Sequence, residues 1–215
     1  MFSNDKDLSL PMSSIVPYKR VDNVSVDSRY LSTDKLLFCN DDFSRMTAAT
    51  SPICMKAVLL AEYECQRDIK EVTKNDSVRI AQYKMGVHNS APWCGSFVSW
   101  LYGEGQGSSN DKTFGYNACT QEIKRKAEAA GCYATKNSGY TPRVGDLAMW
   151  SKTQWTGHVG IVTKVYKDGS FDVVEGNSNN NKVEKIHYKS QNDVGSSFNG
   201  FVKMNEWMTG NFWTS

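Results

Sequence analysis

Ser90-Ala91-Pro92-Trp93-Cys94-Gly95-Ser96-Phe97-Val98-Ser99-Trp100 and, much later, Gly157-His158-Val159-Gly160-Ile161-Val162 are the two stretches that decide how this chain folds. Pro92 suits the first turn of a helix, because its missing N–H is one that a helix start leaves unpaired anyway, and Phe97, Val98, Trp100 and Leu101 supply a buried side. Cys94 then falls in the first turn. There the free backbone N–H groups and the positive end of the helix dipole favour a thiolate, and the same N–H groups could hold an oxyanion. Gly95 and Ser96 are small, which leaves room beside the sulfur for a substrate. A lone cysteine is more often a small buried hydrophobe, so the reading depends on a second group.

His158 supplies it. His158 to Tyr166 alternates and is rich in β-branched residues, Lys167-Asp168-Gly169-Ser170 reads as a tight turn, and Phe171 to Glu175 is a second strand. With Asp168 and Gly169 as a two-residue loop, Val162 faces Glu175 and Gly160 faces Asn177. His158, Gly160 and Val162 share a face with Glu175 and Asn177, since side chains alternate across a strand. Gly160 lacks a side chain and leaves a gap through which a residue at 177 reaches His158 diagonally. Register thus favours Asn177 as the group that orients the imidazole, whereas charge favours Glu175, whose carboxylate would also stabilise the imidazolium. Both stay open.

Ala91-Pro92-Trp93-Cys94 with Phe97-Val98, then Pro142-Arg143-Val144-Gly145-Asp146-Leu147-Ala148-Met149-Trp150, then Gly157 to Val162, then Glu175-Gly176-Asn177 together resemble the CHAP family, the cysteine, histidine-dependent amidohydrolase/peptidase branch of the NlpC/P60 papain-like superfamily. The resemblance covers roughly residues 55 to 204. It implies an α+β, papain-like fold in which a nucleophile helix packs on a central antiparallel sheet. It also implies hydrolysis of amide bonds, usually in peptidoglycan, with Cys94 as nucleophile, His158 as base and then acid, and Glu175 or Asn177 as orienter. The bond would lie in a stem peptide or cross-bridge (endopeptidase) or between the sugar lactyl group and the first alanine (N-acetylmuramoyl-L-alanine amidase). An acyl or peptidyl transferase on the same fold, and a non-catalytic wall-binding or phage structural module, are the alternatives.

No cofactor is expected. Many phage members of the family carry an acidic calcium loop before the cysteine, but Arg79 to Asn89 contains no carboxylate, so no metal site is expected either. Substrate-facing candidates are Trp93, Trp155 and Asn89, with Trp150 as a wall or packing residue and Tyr83, His88 and Asn89 as side-chain oxyanion donors.

The composition suits one catalytic domain. Forty per cent hydrophobic residues in a chain of 215 can build a sizeable core, and a formal net charge of +2 gives no basic block that would point to nucleic acid. No run of about eighteen apolar residues suggests a membrane span. The start, Met1-Phe2-Ser3-Asn4-Asp5-Lys6-Asp7, lacks the basic and apolar regions of a signal peptide, so action at the cell wall would call for phage coding or specialised export. The protein is expected to be a monomer. Six cysteines without a CxxC pair, with Cys54 and Cys65 roughly 16 Å apart along one helix, are read as mostly reduced and buried.

Residues 1–50 are expected to be an N-terminal extension of unassigned role, 51–204 the catalytic domain and 205–215 a tail carrying Trp207, Phe212 and Trp213. Val58, Ala61, Cys65, Ile69 and Val72 predict a helix over 55–72, and Cys119, Ile123, Ala127 and Ala130 predict another, closed by Gly131. Strands are expected at about 144–150, 158–166, 171–177, 183–189 and 199–204. His187 reads as a strand-surface residue, and Asn177 to Asn181 as an exposed turn.

Overall fold

Ser51 and Ser77 each start a helix in the same way. The Ser51 hydroxyl accepts from the Cys54 N–H (3.2 Å) and the Ser77 hydroxyl from the Ile80 N–H (3.2 Å), each occupying one of the donors that a helix start leaves free. A computed structural model describes residues 50–103, 105, 107, 114–179 and 181–209, all within the compact unit Leu37–Ser215. The expected extension over residues 1–50 lies almost wholly outside the described residues, as do Cys39, Phe212 and Trp213.

The helices are α1 (Pro52–Gln66), α2 (Val78–Tyr83), α3 (Cys94–Leu101), α4 (Thr120–Ala129) and α5 (Met204–Thr209). The strands are β1 (Tyr133–Thr135), β2 (Leu147–Ser151), β3 (Gly157–Val165), β4 (Phe171–Ser178), β5 (Lys182–Tyr188) and β6 (Phe198–Val202). They form one antiparallel sheet in the order β1-β6-β2-β3-β4-β5, on which α1 and α3 pack against β3 and β4. This is the expected α+β layout. The short β1 was not foreseen, because three residues carry too little alternation to read.

The first helix is shorter than its apolar stripe predicts. Arg67 caps it and Asp68 turns into the left-handed region (φ 52°), so Val72 leaves the core and is 84% exposed. Inside that helix Glu64 is fully buried; it holds Arg79 of α2 in an ion pair, with Arg79 Nε on Oε2 at 2.8 Å, and accepts from the Tyr83 hydroxyl. A charge so deep in the fold persists only when paired in this way. The second stripe behaves as expected: Ile123 and Ala127 are buried, and Gly131 closes α4 at φ 65°.

Residues 204–209 take in the start of the expected C-terminal segment. They form α5, whose Trp207 packs on Phe114 (6.0 Å between rings), while Asn205 accepts from the Ser51 N–H (2.9 Å) and donates to the Val144 carbonyl (2.9 Å). Buried Asp146 fastens the start of this helix, accepting from the Met204 N–H (3.0 Å), the Arg143 N–H (2.8 Å) and the Tyr140 hydroxyl (2.7 Å). Burial pushes the Asp146 carboxyl up to about 6, against the pull of those donors.

The hairpin of β3 and β4 departs from its expected register. Tyr166 N–H donates to the Ser170 carbonyl (2.8 Å), which encloses three loop residues, with Gly169 at φ 86°, in place of two. A bulge between Val162 and Lys164 slips the pairing by one residue more. Gly160 therefore faces Glu175, and Val162 faces Val173, where Asn177 and Glu175 were expected. Two slips of one residue sum to two, so the face is kept and only the partner changes. Gly160 leaves the gap as anticipated, but for a different residue: a Cβ there would stand 2.7 Å from Glu175 Cγ and 2.5 Å from Val173 Cγ1. Gly160→Ala should destabilise the protein by about 1–3 kcal/mol through this overpacking, read as a lower midpoint in urea unfolding; an unchanged midpoint would show that the crossing has slack.

Candidate active site

Cys94 is the first residue of α3, with Trp93 as its N-cap, and the Phe97 N–H closes the first turn on the Trp93 carbonyl (2.8 Å). The N–H groups of the residues before Phe97 have no intrahelical acceptor, which is the general property of a helix start. The thiol is 5% exposed. Its small neighbours also serve packing. A Cβ at Gly95 would lie 2.3 Å from the Ala118 carbonyl oxygen, and Ser96 is buried with its hydroxyl accepting from Tyr116 (3.0 Å). The absence of a side chain at Gly95 lets the segment before α4 close on the helix, and Ser96 is tied to that same segment. Gly176 serves the same end from below, since a Cβ there would stand 2.7 Å from the Phe97 ring.

His158 is the second residue of β3 and its side chain is 20% exposed. Its Nε2 lies 2.8 Å from Glu175 Oε2, and Cys94 is near enough to act with Glu175 in favouring the charge on the ring. With Nε2 engaged, Nδ1 is the nitrogen left for the thiol. The Trp150 ring packs beside the imidazole (5.4 Å), and its own N–H donates to the Val194 carbonyl (3.2 Å), so Trp150 is a packing residue. Burial opposes the charge on His158. The bonds to Cys94 and Glu175 outweigh it and hold the imidazolium up to about 10 from an ordinary 6.5. Cysteine, imidazole and carboxylate are thus brought to one place, the arrangement in which a base can draw a proton from a nucleophile while a third group fixes its tautomer.

Of the two orienting candidates, Glu175 touches His158 and Asn177 does not. Asn177 sits in the left-handed region (φ 56°) at the irregular end of β4. With its amide oriented to satisfy both neighbours, it donates to Glu71 Oε1 (3.3 Å) and accepts from the Trp93 N–H (3.3 Å). Asn177 therefore steadies the residue that caps α3. Glu71, which the sequence did not bring forward, also accepts from the Trp93 indole N–H (3.0 Å) and the Asn75 N–H (2.6 Å).

The remaining candidates separate cleanly. Trp93 is fully buried between Tyr83 (5.7 Å) and Phe97 (6.2 Å), so its indole is core packing and offers no wall to a substrate. Tyr83 is buried on Glu64 and is not placed to serve an oxyanion. Asn89 is exposed, and its side-chain oxygen accepts from the Ala91 N–H (3.0 Å) and Lys84 Nζ (3.1 Å). His88 pairs with Asp76 (2.9 Å), and His187 pairs with Asp172 (2.7 Å) on the open side of β5. Trp155 is 64% exposed in the turn that leads into β3, beneath the Arg125 guanidinium (5.3 Å). Gln121 pins that turn, donating to the Trp150 carbonyl (3.1 Å) and accepting from Ser151 (2.7 Å). Cys54, Cys65, Cys94, Cys119 and Cys132 are all free thiols, and among the described residues no three His, Cys, Asp or Glu side chains gather as metal ligands.

Glu175 has further partners that spacing did not disclose. The Tyr188 hydroxyl donates to Oε1 (2.8 Å) and the Ser178 hydroxyl lies 3.3 Å from Oε2. Tyr188 stands opposite Phe171 in the ladder, so only the lean of its side chain along the sheet brings it to position 175.

Compared with known proteins, the chain matches the family model described as the CHAP domain over residues 86–177, a stretch that contains Cys94, His158 and Glu175 and ends on Asn177. No curated protein and no solved structure matches the chain.

The raised His158 value carries a direction. Stability from this pair is fully present below about 6.5 and is lost as pH rises through about 10, because the folded state holds the proton more tightly than the unfolded one. In a ring-proton NMR titration, His158 should have its midpoint near 10, and Cys94→Ala should move it downward by deleting one of the two groups that raise it. A midpoint near 6.5 in the wild type, or no movement in the variant, would contradict the pairing.

Proposed function

With residues 86–177 matching the CHAP domain, we propose that this chain is a cysteine hydrolase that cuts amide bonds of peptidoglycan. The observation that carries the reading is the hydrogen bond from His158 to buried Glu175 (2.8 Å), with Cys94 acting on the same imidazole. In this scheme the Cys94 thiolate attacks an amide carbonyl of a stem peptide or cross-bridge, or the lactyl amide of the first alanine. Backbone N–H groups at the start of α3 bind the oxyanion, in the place where a helix start offers unpaired donors. His158, already an imidazolium, gives its Nδ1 proton to the leaving amine as the tetrahedral adduct collapses to a thioester. It then takes a proton from water, which attacks the thioester, frees the acid and returns the thiolate. Glu175 keeps the ring oriented and stabilises its charge through Nε2.

Asn177 contributes by holding the Trp93 N–H, and so the approach to Cys94. Exposed Trp155, on the turn before His158, is the aromatic surface best placed to meet a sugar or peptide. Asn89 lies on the segment that enters the nucleophile helix, tied there by Lys84, whose Nζ also donates to its carbonyl (2.8 Å). Residues 51–204 would form the catalytic domain, which α5 closes off, and the site of action would be the cell wall. No helix among the described residues is long and apolar enough to cross a membrane.

Mass spectrometry of purified peptidoglycan after digestion tests this reading. The wild type should release peptides or expose new amines, and Cys94→Ala should lower that release by at least about a thousandfold, since losing the nucleophile removes the covalent route. Equal release by both proteins, or none by either across several wall types, would overturn it. New amide linkages in place of free amines would point to transfer.

A further inference from the structure

Glu175 is a buried carboxylate whose charge the fold must hold with very little help from other charges. Among the described residues no Lys or Arg pairs with it; its one ionisable hydrogen-bond partner of opposite charge is His158 on Oε2 (2.8 Å). Two hydroxyls complete its surroundings, and they are unequal. Ser178 Oγ lies 3.3 Å from Glu175 Oε2 and 3.4 Å from Glu184 Oε2, and its single proton cannot serve both acceptors. Tyr188 donates to Oε1 (2.8 Å), the oxygen that His158 leaves free. We propose that Tyr188 is a positioning residue for the cysteine site, fixing the Glu175 carboxylate so that its other oxygen stays aimed at His158 Nε2.

The inference rests on the function proposed above and deepens it. Rotation about the last bond of a glutamate side chain is broad, so a carboxylate held at one oxygen alone can turn away from its partner. Tyr188 opposes this from a ring that packs against Phe171 (5.7 Å) and Trp150 (6.2 Å). Trp150 in turn borders His158 (5.4 Å), so one packed aromatic group flanks both ends of the His158–Glu175 bond. The phenol stays a donor throughout, because burial and the nearby carboxylates of Glu175 and Glu184 push its deprotonation well up. The ionisable groups around Glu175 are His158 from β3, Cys94 from α3 through His158, and Tyr188 and Glu184 from β5, the last paired with Lys182 (2.9 Å).

The test is Tyr188→Phe in the full chain, which keeps the ring and deletes the donor. Three results are expected. Turnover of peptidoglycan fragments should fall about tenfold or more with KM unchanged, the equivalent of one hydrogen bond to a charge. The alkaline limb of kcat should move to lower pH, because a carboxylate free to turn from His158 supports the imidazolium less. The low-field NMR signal of the His158 Nε2 proton, held on Glu175 in the wild type, should broaden through faster exchange with water. A Tyr188→Phe protein with normal turnover, an unmoved alkaline limb and a sharp signal would overturn the inference, whatever its unfolding midpoint. If the variant does not fold, site-specific 3-fluorotyrosine at 188 keeps the ring and strengthens the donor; the His158 Nε2 signal should then be at least as sharp as in the wild type, and a broadened signal would count against the role. The NMR signal needs no substrate. A wild type with the sharp signal but no wall hydrolysis would defeat the proposed function and leave the positioning role standing, whereas active wild type with an indifferent Tyr188→Phe would do the reverse.

Discussion

The hydrogen bond between His158 Nε2 and Glu175 Oε2 is the contact on which the site depends. A histidine paired with a thiol can turn or change tautomer unless its second nitrogen is fixed, and here a carboxylate both fixes it and favours its charge. That carboxylate is reached across a sheet, so its position is decided by strand register. The three-residue loop at Lys167-Asp168-Gly169 and the bulge after Val162 set the register, and Gly160 opens the space through which the Glu175 side chain crosses.

Much of the surrounding structure can be understood as support for this contact. Helix α3 lies close to the sheet because Gly176 lets Phe97 down onto β4, and close to the segment before α4 because Gly95 admits the Ala118 carbonyl. The chain entering that helix is held by Asn177, by Glu71 and by buried Lys84, whose ammonium bonds the Asn75 and Asn89 carbonyls. None of these residues touches the imidazole. They limit how far Cys94 can move from it, and positioning of that kind is a large part of what an enzyme contributes.

The sequence disclosed the layout well and the partnerships poorly. The β3 and β4 strands were legible from β-branched alternation around a Gly turn, and α4 from its stripe and from Gly131. The helix over 55–72 was overextended because periodicity continues through Ile69 and Val72, while the backbone already turns at Asp68. Choosing between Glu175 and Asn177 required the loop length and the bulge, and neither has a marker in the residues: Asp168-Gly169 fits a two-residue loop as readily as the last two positions of a three-residue one. Trp93 looked like a cleft wall because it adjoins Cys94, but as the N-cap residue of α3 it faces inward, and only burial reveals this. Tyr188 and Glu71 were beyond reach for a related reason, since their partners lie across the fold at no fixed spacing.

Glu175 is the direct partner of His158, and Asn177 supports the helix that carries Cys94. Steady-state turnover of soluble peptidoglycan fragments by Glu175→Gln and Asn177→Ala, compared side by side, tests that division most directly. It predicts that Glu175→Gln lowers kcat by about 10²-fold or more, the scale of an impaired acid–base step, and that Asn177→Ala costs markedly less. Equal losses, or a greater loss at Asn177, would contradict it and return the orienting role to the residue that register first suggested.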